Sequence, residues 1–596
     1  MANGWSIRGA GDVLQVAKWS LLYDSFSIVL VNLPLLLTVL VIGKQLQKKS
    51  FARLLALLFT SIHTLAIFLN TADIFYFRFH LQRADADLLY VIRNPFANGT
   101  IAVLLLIIAA IVFCTVTGIF IYRNLLRIFG STAPVNRYYF TNSLLILCCI
   151  LFFMDGSKKI IPTYPLTELQ PAQLPLAQNS FHSFIYSLYR RNEVMIPDKK
   201  YMPLQQQQTL FGIYKKNNTA AAAPKNIVLF IMESVPLDYF DSSSPYKVAM
   251  PFLDSLINKS TFYSNAFSYS YSSNKGITAM LAGVPTMTDI PLYHSNFISI
   301  PHTAVGNELA KKNYRSAFFI GDNYDDFGFA KCCKWLGIQQ YYCMQDIPGY
   351  QQMEKHSMGL HDEYVLRFMQ QQLKQIKEPF FAIQYNISTH YPHNIPQTFI
   401  DRYPGKNSNA PMKTMQYYND CLQVFFENAK TAPWYNNSIF IFCADHWAQP
   451  HYTKSRIDEV ESFRIPIFIY DPSDEKKETV STIASQMDLL NTILHYSGHT
   501  DSIISYGKSL KDSMPAAQRT IFTKTNTAIY QALNNEYVLG FDALQGKPVY
   551  CYAYKKDRGR TINLLKQPGF NRADTLILEM KAYLQTASGH YRNREY

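Results

Sequence analysis

At 596 residues the chain has room for two to four domains, and a hydrophobic content of 48% with a mean hydropathy of -0.06 would suit a soluble protein if the apolar residues were evenly spread. They are not, because the first quarter of the chain is far more apolar than the rest. The formal charge of +13 comes without a basic cluster interleaved with aromatics that could track a phosphate backbone, which excludes nucleic acid as the expected partner and favours anionic lipid headgroups.

Residues 1–24 have no basic stretch followed by an apolar core and a cleavage site, so no removable signal peptide is expected. Apolar runs at 27–42, 54–69, 101–122 and 139–154 are candidate membrane spans. Lys44, Lys48, Lys49 and Arg53 follow the first run, and Arg123, Arg127 and Arg137 follow the third. Placing both loops in the cytoplasm puts the N-terminus, the 70–100 loop and everything after Met154 outside. Residues 1–155 thus read as a multi-pass α-helical transmembrane region. Residues 156–223 read as an extracytoplasmic connector: Pro162, Pro165, Pro171 and Pro175 break regular structure, 181–189 suits an amphipathic helix on the membrane surface, and the Gln run at 205–208 and Ala run at 220–223 suit a linker.

From residue 224 onward, strand-like runs at 227–232, 315–320, 380–385, 439–443 and 465–470 alternate with helical patterns at 362–375, 414–430 and 486–496. This alternation predicts an α/β domain over 224–596 with a mostly parallel central sheet. Shorter runs at 519–523, 536–541 and 548–554 predict a small C-terminal antiparallel sheet, followed by a helix at 572–586. Cys114, Cys148 and Cys149 lie in spans. Cys332, Cys333 and Cys343 could share a bridge in an exported domain, Cys443 reads as a buried strand residue, and no C-x-x-C pair suggests structural zinc.

Two of the apolar runs end in potential ligands, Glu233 after 226–232 and Asp445-His446 after 438–444. Buried parallel strands deliver their C-terminal ends to one sheet edge, so Glu233, Asp445 and His446 could meet there and hold a divalent cation. Residues 269–285 pass at Gly276 from a hydroxyl-rich stretch to a helix-compatible apolar run. Ser272 and Ser273 should therefore sit just before a helix N-terminus, where free N–H groups and the helix dipole favour a phosphate or sulfate. No histidine adjoins them, so the cation would have to ionise the serine. On the residues alone Ser272, Ser273 and Thr278 compete as nucleophile, and a plain capping role competes with all three. His390 and His393 follow the 380–385 run and should arrive at the same edge.

In this order, residues 226–234, the Ser273-Asn-Lys-Gly turn, Ser-Thr-His-Tyr-Pro-His at 388–393 and Ala-Asp-His at 444–446 resemble the lipoteichoic acid synthase-type branch of the sulfatase (alkaline phosphatase) superfamily, which includes phosphoethanolamine transferases acting on lipid A. The resemblance covers residues 224 to about 515 and, with the apolar region, most of the chain. It implies one divalent metal ion (Mn2+, Zn2+ or Mg2+) held by Glu233, Ser273, Asp445 and His446. It further implies Ser273 as nucleophile, His390 as a catalytic and phosphate-binding residue, and His393 and Asp322 as further substrate contacts. Family members that transfer phosphoglycerol carry a His just before the loop holding Asp322 and a Trp and an Arg within it, where this chain has Ile320, Phe327 and Phe329. No C/S-x-P-x-R pattern follows Ser272 or Ser273, which disfavours sulfate-ester hydrolysis.

The resemblance implies a multi-pass protein of the inner (cytoplasmic) membrane with a periplasmic catalytic domain. It would move phosphoethanolamine or phosphoglycerol from a membrane phospholipid, through a covalent Ser273 intermediate, to a glycan or lipid acceptor. The alternatives are a membrane-tethered phosphodiesterase or sulfatase-type hydrolase, and a non-catalytic binding protein of the same fold. Family members usually have five spans with the N-terminus inside, so this chain either lacks the first or hides a weak one before Asp24.

Overall fold

The computed structural model describes residues 9–42, 48–80, 101–129, 143–148 and 173–190, with a few isolated positions between them. It also describes 197–216, then 224–512 save 289, 296, 325–326, 401, 403–409 and 448–459, and 519–592 save 526–528. The chain divides into two compact units, Met1–Arg191 and Asn192–Tyr596.

In the first unit the helices are α1 (Ala10–Ile42), α2 (Lys49–His80), α3 (Ile101–Phe129) and α4 (Ser180–Arg190). Among the described residues, two helical stretches, Ala10–Thr38 and Lys49–Ile74, are long and apolar enough to cross a membrane, and Ile111–Asn124 is a shorter apolar helix within α3. The first expected span therefore begins earlier than residue 27, and the weak segment suspected before Asp24 is continuous with it. The fourth expected span falls mostly outside the described residues, which are helical there at 143–148. The helix α4 covers the segment expected as an amphipathic helix. Its Phe181 and Phe184 are covered by Val31 of α1 and Leu69 of α2, so its apolar face already has a protein partner.

The second unit starts with a segment read from sequence as linker, and residues 197–216 depart from that reading. The backbone N–H groups of Tyr201 and Met202 donate to Gln585 Oε1 at 2.6 and 3.0 Å, and Gln207 Nε2 donates to Thr586 Oγ1 at 3.0 Å. Tyr214 and Lys215 pair with Ile504 and Ile503.

The central sheet is built from β1 (Asn226–Met232), β2 (Thr261–Tyr263), β3 (Arg315–Ile320), β4 (Gln340–Tyr342), β5 (Phe380–Tyr385), β6 (Ser438–Ala444), β7 (Ile467–Tyr470) and β8 (Glu478–Val480). Their spatial order is β8-β2-β7-β6-β1-β5-β3-β4. The pairs from β6 through β4 are parallel, whereas β7 runs antiparallel to both neighbours, so the sheet is mixed. All residues of β1, β5, β6 and β7 are buried. Phe230, Phe442 and Phe468 stack across β1, β6 and β7 with centroids 4.6 and 4.3 Å apart, and each such ring contributes roughly 1.5–3 kcal/mol of burial. The C-terminal sheet is antiparallel in the order β9 (Ile521–Lys524), β10 (Ile529–Leu533), β11 (Val538–Asp542), β12 (Lys547–Tyr552). The strand β10 had no counterpart in the sequence reading. A closing helix spans Asp574–Tyr591. The described cysteines, among them Cys332, Cys333 and Cys343, are free thiols, so the bridge considered for those three is not formed.

Candidate active site

The sheet brings the C-terminal ends of β1, β5 and β6 side by side. Register pairs Met232 with Ala444 and Ile231 with Tyr385, so Glu233, Asp445 and the turn after Tyr385 leave the sheet at one level. Each departure is then fixed by hydrogen bonds. Glu233 N–H donates to Asn386 Oδ1 at 2.6 Å, and Thr389 Oγ1 donates to the Glu233 carbonyl at 2.6 Å. Ser234 takes a left-handed conformation (φ 56°), unusual without glycine, which turns its N–H onto Asp445 Oδ1 at 2.8 Å.

The helix Ser273–Ala282, α5 here, approaches the same edge. Ser272 is its N-cap residue in extended conformation, and Ser273 is the first helical residue. The close approach needs Gly276, because a Cβ there would stand 2.5 Å from the Asp445 carbonyl oxygen. Gln486 ties the same place together: its Nε2 donates to the carbonyls of Ala444 and Asp445, and its Oε1 accepts from Tyr269 N–H at 2.8 Å. Helix α5 ends on Gly283, whose φ of 61° is left-handed.

Ser273 Oγ lies 3.2 Å from Glu233 Oε2 and 3.2 Å from His446 Nε2. His446 Nε2 is 3.5 Å from Glu233 Oε1 and 3.6 Å from Asp445 Oδ2. The Trp447 carbonyl, 2.8 Å from His446 Nδ1, can only accept, so Nδ1 carries a proton and Nε2 is the nitrogen that faces Ser273, free to act as a ligand once a cation displaces any proton it holds. Ligand atoms of Glu233, Asp445 and His446 lie within 4.8 Å of one another. Two carboxylates, an imidazole lone pair and a hydroxyl converging on one point are a donor set that suits a divalent cation. The electrostatics agree. Burial and then the Glu233 charge hold the Asp445 carboxyl well above the usual carboxylate range. Burial pulls His446 down, but Asp445 and Glu233 pull it up further, to a net rise.

The structure therefore brings Glu233, Ser273, Asp445 and His446 together. Thr278 is drawn elsewhere, donating to the Asn274 carbonyl at 2.8 Å, and Ser272 makes no side-chain cap bond. His390 sits in the turn after β5. Its Nδ1 donates to the Tyr391 carbonyl at 2.7 Å, burial lowers its pKa, and the ring feels the charges of His446 and Asp445. His393 Nδ1 donates to the Thr389 carbonyl at 3.0 Å, and burial pushes this ring down to about 3. Asp322, fully buried at the end of β3, accepts from Tyr341 Oη at 3.0 Å. Sequence reasoning missed Ser234, Tyr385, Asn386, Thr389 and Gln486. Tyr385 had the same signal as Glu233, a polar tip ending an apolar run, whereas Gln486 had none.

The family model described as Sulfatase matches residues 225–499. Lipoteichoic acid synthase-like YvgJ of Bacillus subtilis is 23% identical over 438 residues, 68% of either chain. The chain spans about half the length of lipoteichoic acid synthases from Bacillus subtilis and Staphylococcus aureus, at 21–24% identity. Among solved structures, a protein in the alkaline phosphatase superfamily from Vibrio parahaemolyticus aligns with TM-score 0.56 at 19% identity, covering 67% of this chain and 98% of its own. The lipoteichoic acid synthase LtaP from Listeria monocytogenes aligns with TM-score 0.51 at 15% identity, covering 66% and 98%. The chain thus carries a Sulfatase family domain over residues 225–499, and what it is similar to are curated lipoteichoic acid synthases and, in fold, solved structures of the alkaline phosphatase superfamily.

Proposed function

We propose that this protein is a metal-dependent phosphotransferase that moves a phospho-headgroup, phosphoglycerol or phosphoethanolamine, from a membrane phospholipid through Ser273 to a glycan or lipid acceptor. The observation that carries the reading is the Ser273 hydroxyl standing 3.2 Å from both Glu233 and His446 at the head of a helix. Glu233, Asp445, His446 and Ser273 would hold one divalent cation, with Mn2+, Zn2+ and Mg2+ all compatible with the set. When bound, the cation supplies positive charge that lowers the pKa of the serine hydroxyl and neutralises phosphate oxygens.

Ser273 Oγ then forms a bond to phosphorus as the bond to the diacylglycerol oxygen breaks. The first N–H groups of α5 face the phosphate charge. Neutral His390, with Nδ1 held by the Tyr391 carbonyl, presents Nε2 as a base. It takes the Ser273 proton as Oγ attacks and passes it to the departing diacylglycerol oxygen, and in the second displacement it takes the proton of the acceptor hydroxyl and returns it to Ser273 Oγ as that oxygen leaves phosphorus. Protons thus balance over one cycle without water entering. His393 and Asp322 are further candidates for shaping the headgroup pocket.

The relatives' names favour phosphoglycerol, while Ile320, Phe327 and Phe329 favour a different headgroup contact, so the donor has to be measured. The spans of the first unit suit a donor that never leaves the bilayer, with the catalytic unit outside the cytoplasmic membrane. Mass spectrometry of the purified enzyme after incubation with phosphatidylethanolamine, phosphatidylglycerol and Mn2+ tests the reading. An adduct on Ser273 names the nucleophile and the headgroup by mass. Absence of both adduct and released diacylglycerol would sink it.

A further inference from the structure

Tyr385 closes β5, and its hydroxyl stands between the two acids of the site. It is 2.8 Å from Asp445 Oδ2 and in hydrogen-bond contact with Glu233 Oε2, the oxygen that also faces Ser273. Its position is fixed from outside the ligand set. The backbone is locked by register to Ile231 of β1 and to Ile320 of β3. The ring packs on Phe329, with centroids 5.1 Å apart and planes inclined by 51°. Phe329 itself is 3% exposed and leans on Phe318 and Phe327. A phenol at a buried strand end can meet its hydrogen-bonding need at one backbone carbonyl. Here its one proton is shared between two carboxylates that must converge on one cation while repelling each other.

We propose that Tyr385 is a positioning residue of the cation site: its hydroxyl spans Glu233 and Asp445 and holds them at cation-binding separation, with Phe329 as its buttress. The proposal rests on reading the cluster as a cation site. Outer hydrogen bonds to ligating carboxylates set affinity by orienting the ligands before the metal arrives, and their loss typically lowers affinity about 10–100-fold.

The test uses the full-length protein in detergent, stripped with EDTA and titrated with Mn2+ by calorimetry, with Co2+ absorption as a report on ligand geometry. Tyr385→Phe keeps the ring and should raise the Kd for Mn2+ about 10–100-fold, with an altered Co2+ spectrum and an unchanged far-ultraviolet circular dichroism spectrum. Phe329→Leu leaves the hydroxyl in place but loosens the ring, and should raise the Kd less, on the order of threefold to tenfold. A Tyr385→Phe protein with the wild-type Kd and Co2+ spectrum overturns the positioning role while leaving the cation site standing. If Tyr385→Phe does not fold, a wild-type Kd in Phe329→Leu overturns it instead. A wild-type protein that takes up no cation at millimolar Mn2+ overturns the cation site itself, and the role of Tyr385 with it.

Discussion

Replacing Gly276 by alanine probes how tightly helix α5 is held against the turn carrying Asp445 and His446. The added Cβ would stand 2.5 Å from the Asp445 carbonyl oxygen and 3.3 Å from its carbon. A shift of roughly 0.9 Å restores ordinary contact. Neither partner yields easily. The oxygen belongs to backbone pinned by Gln486 Nε2, and the Cβ belongs to helix backbone whose residues 275–282 are buried. Alanine regains up to about 1 kcal/mol of helix propensity over glycine, while overpacking costs about 1–3 kcal/mol, so the net loss is up to about 2 kcal/mol, a shift of a few °C at most in a unit of this size. The site is not so protected, because the same shift separates Ser273 from Glu233 and His446, and about 1 Å of misplacement can cost on the order of 100-fold in rate. We expect Gly276→Ala to release diacylglycerol from a fluorescent phospholipid about 10–100-fold more slowly, with weaker Mn2+ binding and a melting temperature lower by a few °C at most. A variant with wild-type rate and Mn2+ affinity would refute the reasoning that this close approach sets the site.

Ser273→Ala should lower transfer by at least about 1000-fold and abolish the phospho-adduct, whereas Ser272→Ala should stay within a few-fold of wild type; adduct mass and diacylglycerol release check both. Gly283→Ala places a Cβ 2.7 Å from Ser505 Oγ at a left-handed φ of 61° and should cost about 1–3 kcal/mol, read from the urea midpoint. His590 is buried as a neutral ring, donating from Nε2 to the Pro301 carbonyl at 2.6 Å and facing Tyr506 Oη with Nδ1, and burial pushes it down to about 4. Its folded pKa lies below the unfolded value near 6.5, so its contribution is complete above that pH and is lost as pH falls towards 4, by at most about 3 kcal/mol. His590→Gln should therefore flatten the loss of stability between pH 7 and 4.5 in chemical denaturation.

What was legible in the sequence is what local pattern can carry. Strands β1, β3, β5 and β6 are continuous apolar runs because they are buried on both faces, and each was placed within a residue or so of its ends. The same property hid direction, since the run of β7 reads alike whichever way the strand points and its antiparallel pairing comes from the sheet. Strands β2, β4 and β8 are three residues each with part of their surface exposed, too short for a period to emerge. Glu233 and Asp445-His446 were visible as polar ends of apolar runs. The competition between Ser272 and Ser273 was not resolvable without helix phase, which makes one residue the cap and the other the first helical residue. Gln486 joins three distant segments through its amide, and only the tertiary fold reveals it.

The cluster also predicts how the protein responds to metal removal. Glu233 and Asp445 are 2% and 0% exposed, and two carboxylates so placed are costly unless a cation or a proton offsets them. Among the described residues, the neighbours seen to offset them are the Tyr385 hydroxyl, the Ser234 and Ser273 hydroxyls, backbone N–H groups and His446. No lysine or arginine among the described residues forms an ion pair with either acid. A ligand that binds only the folded state at 100 times its Kd adds about 2.7 kcal/mol. In a unit of this size that is a rise of a few °C at most in the melting temperature. We expect EDTA-treated protein to melt lower than protein in excess Mn2+, with the shift growing with the logarithm of Mn2+ concentration. Glu233→Gln should abolish the shift, because an amide oxygen is a weaker ligand and one buried charge is already gone. If wild type and Glu233→Gln respond equally to Mn2+, the stabilising cation sits elsewhere, and the chemistry assigned to Ser273 loses its activator.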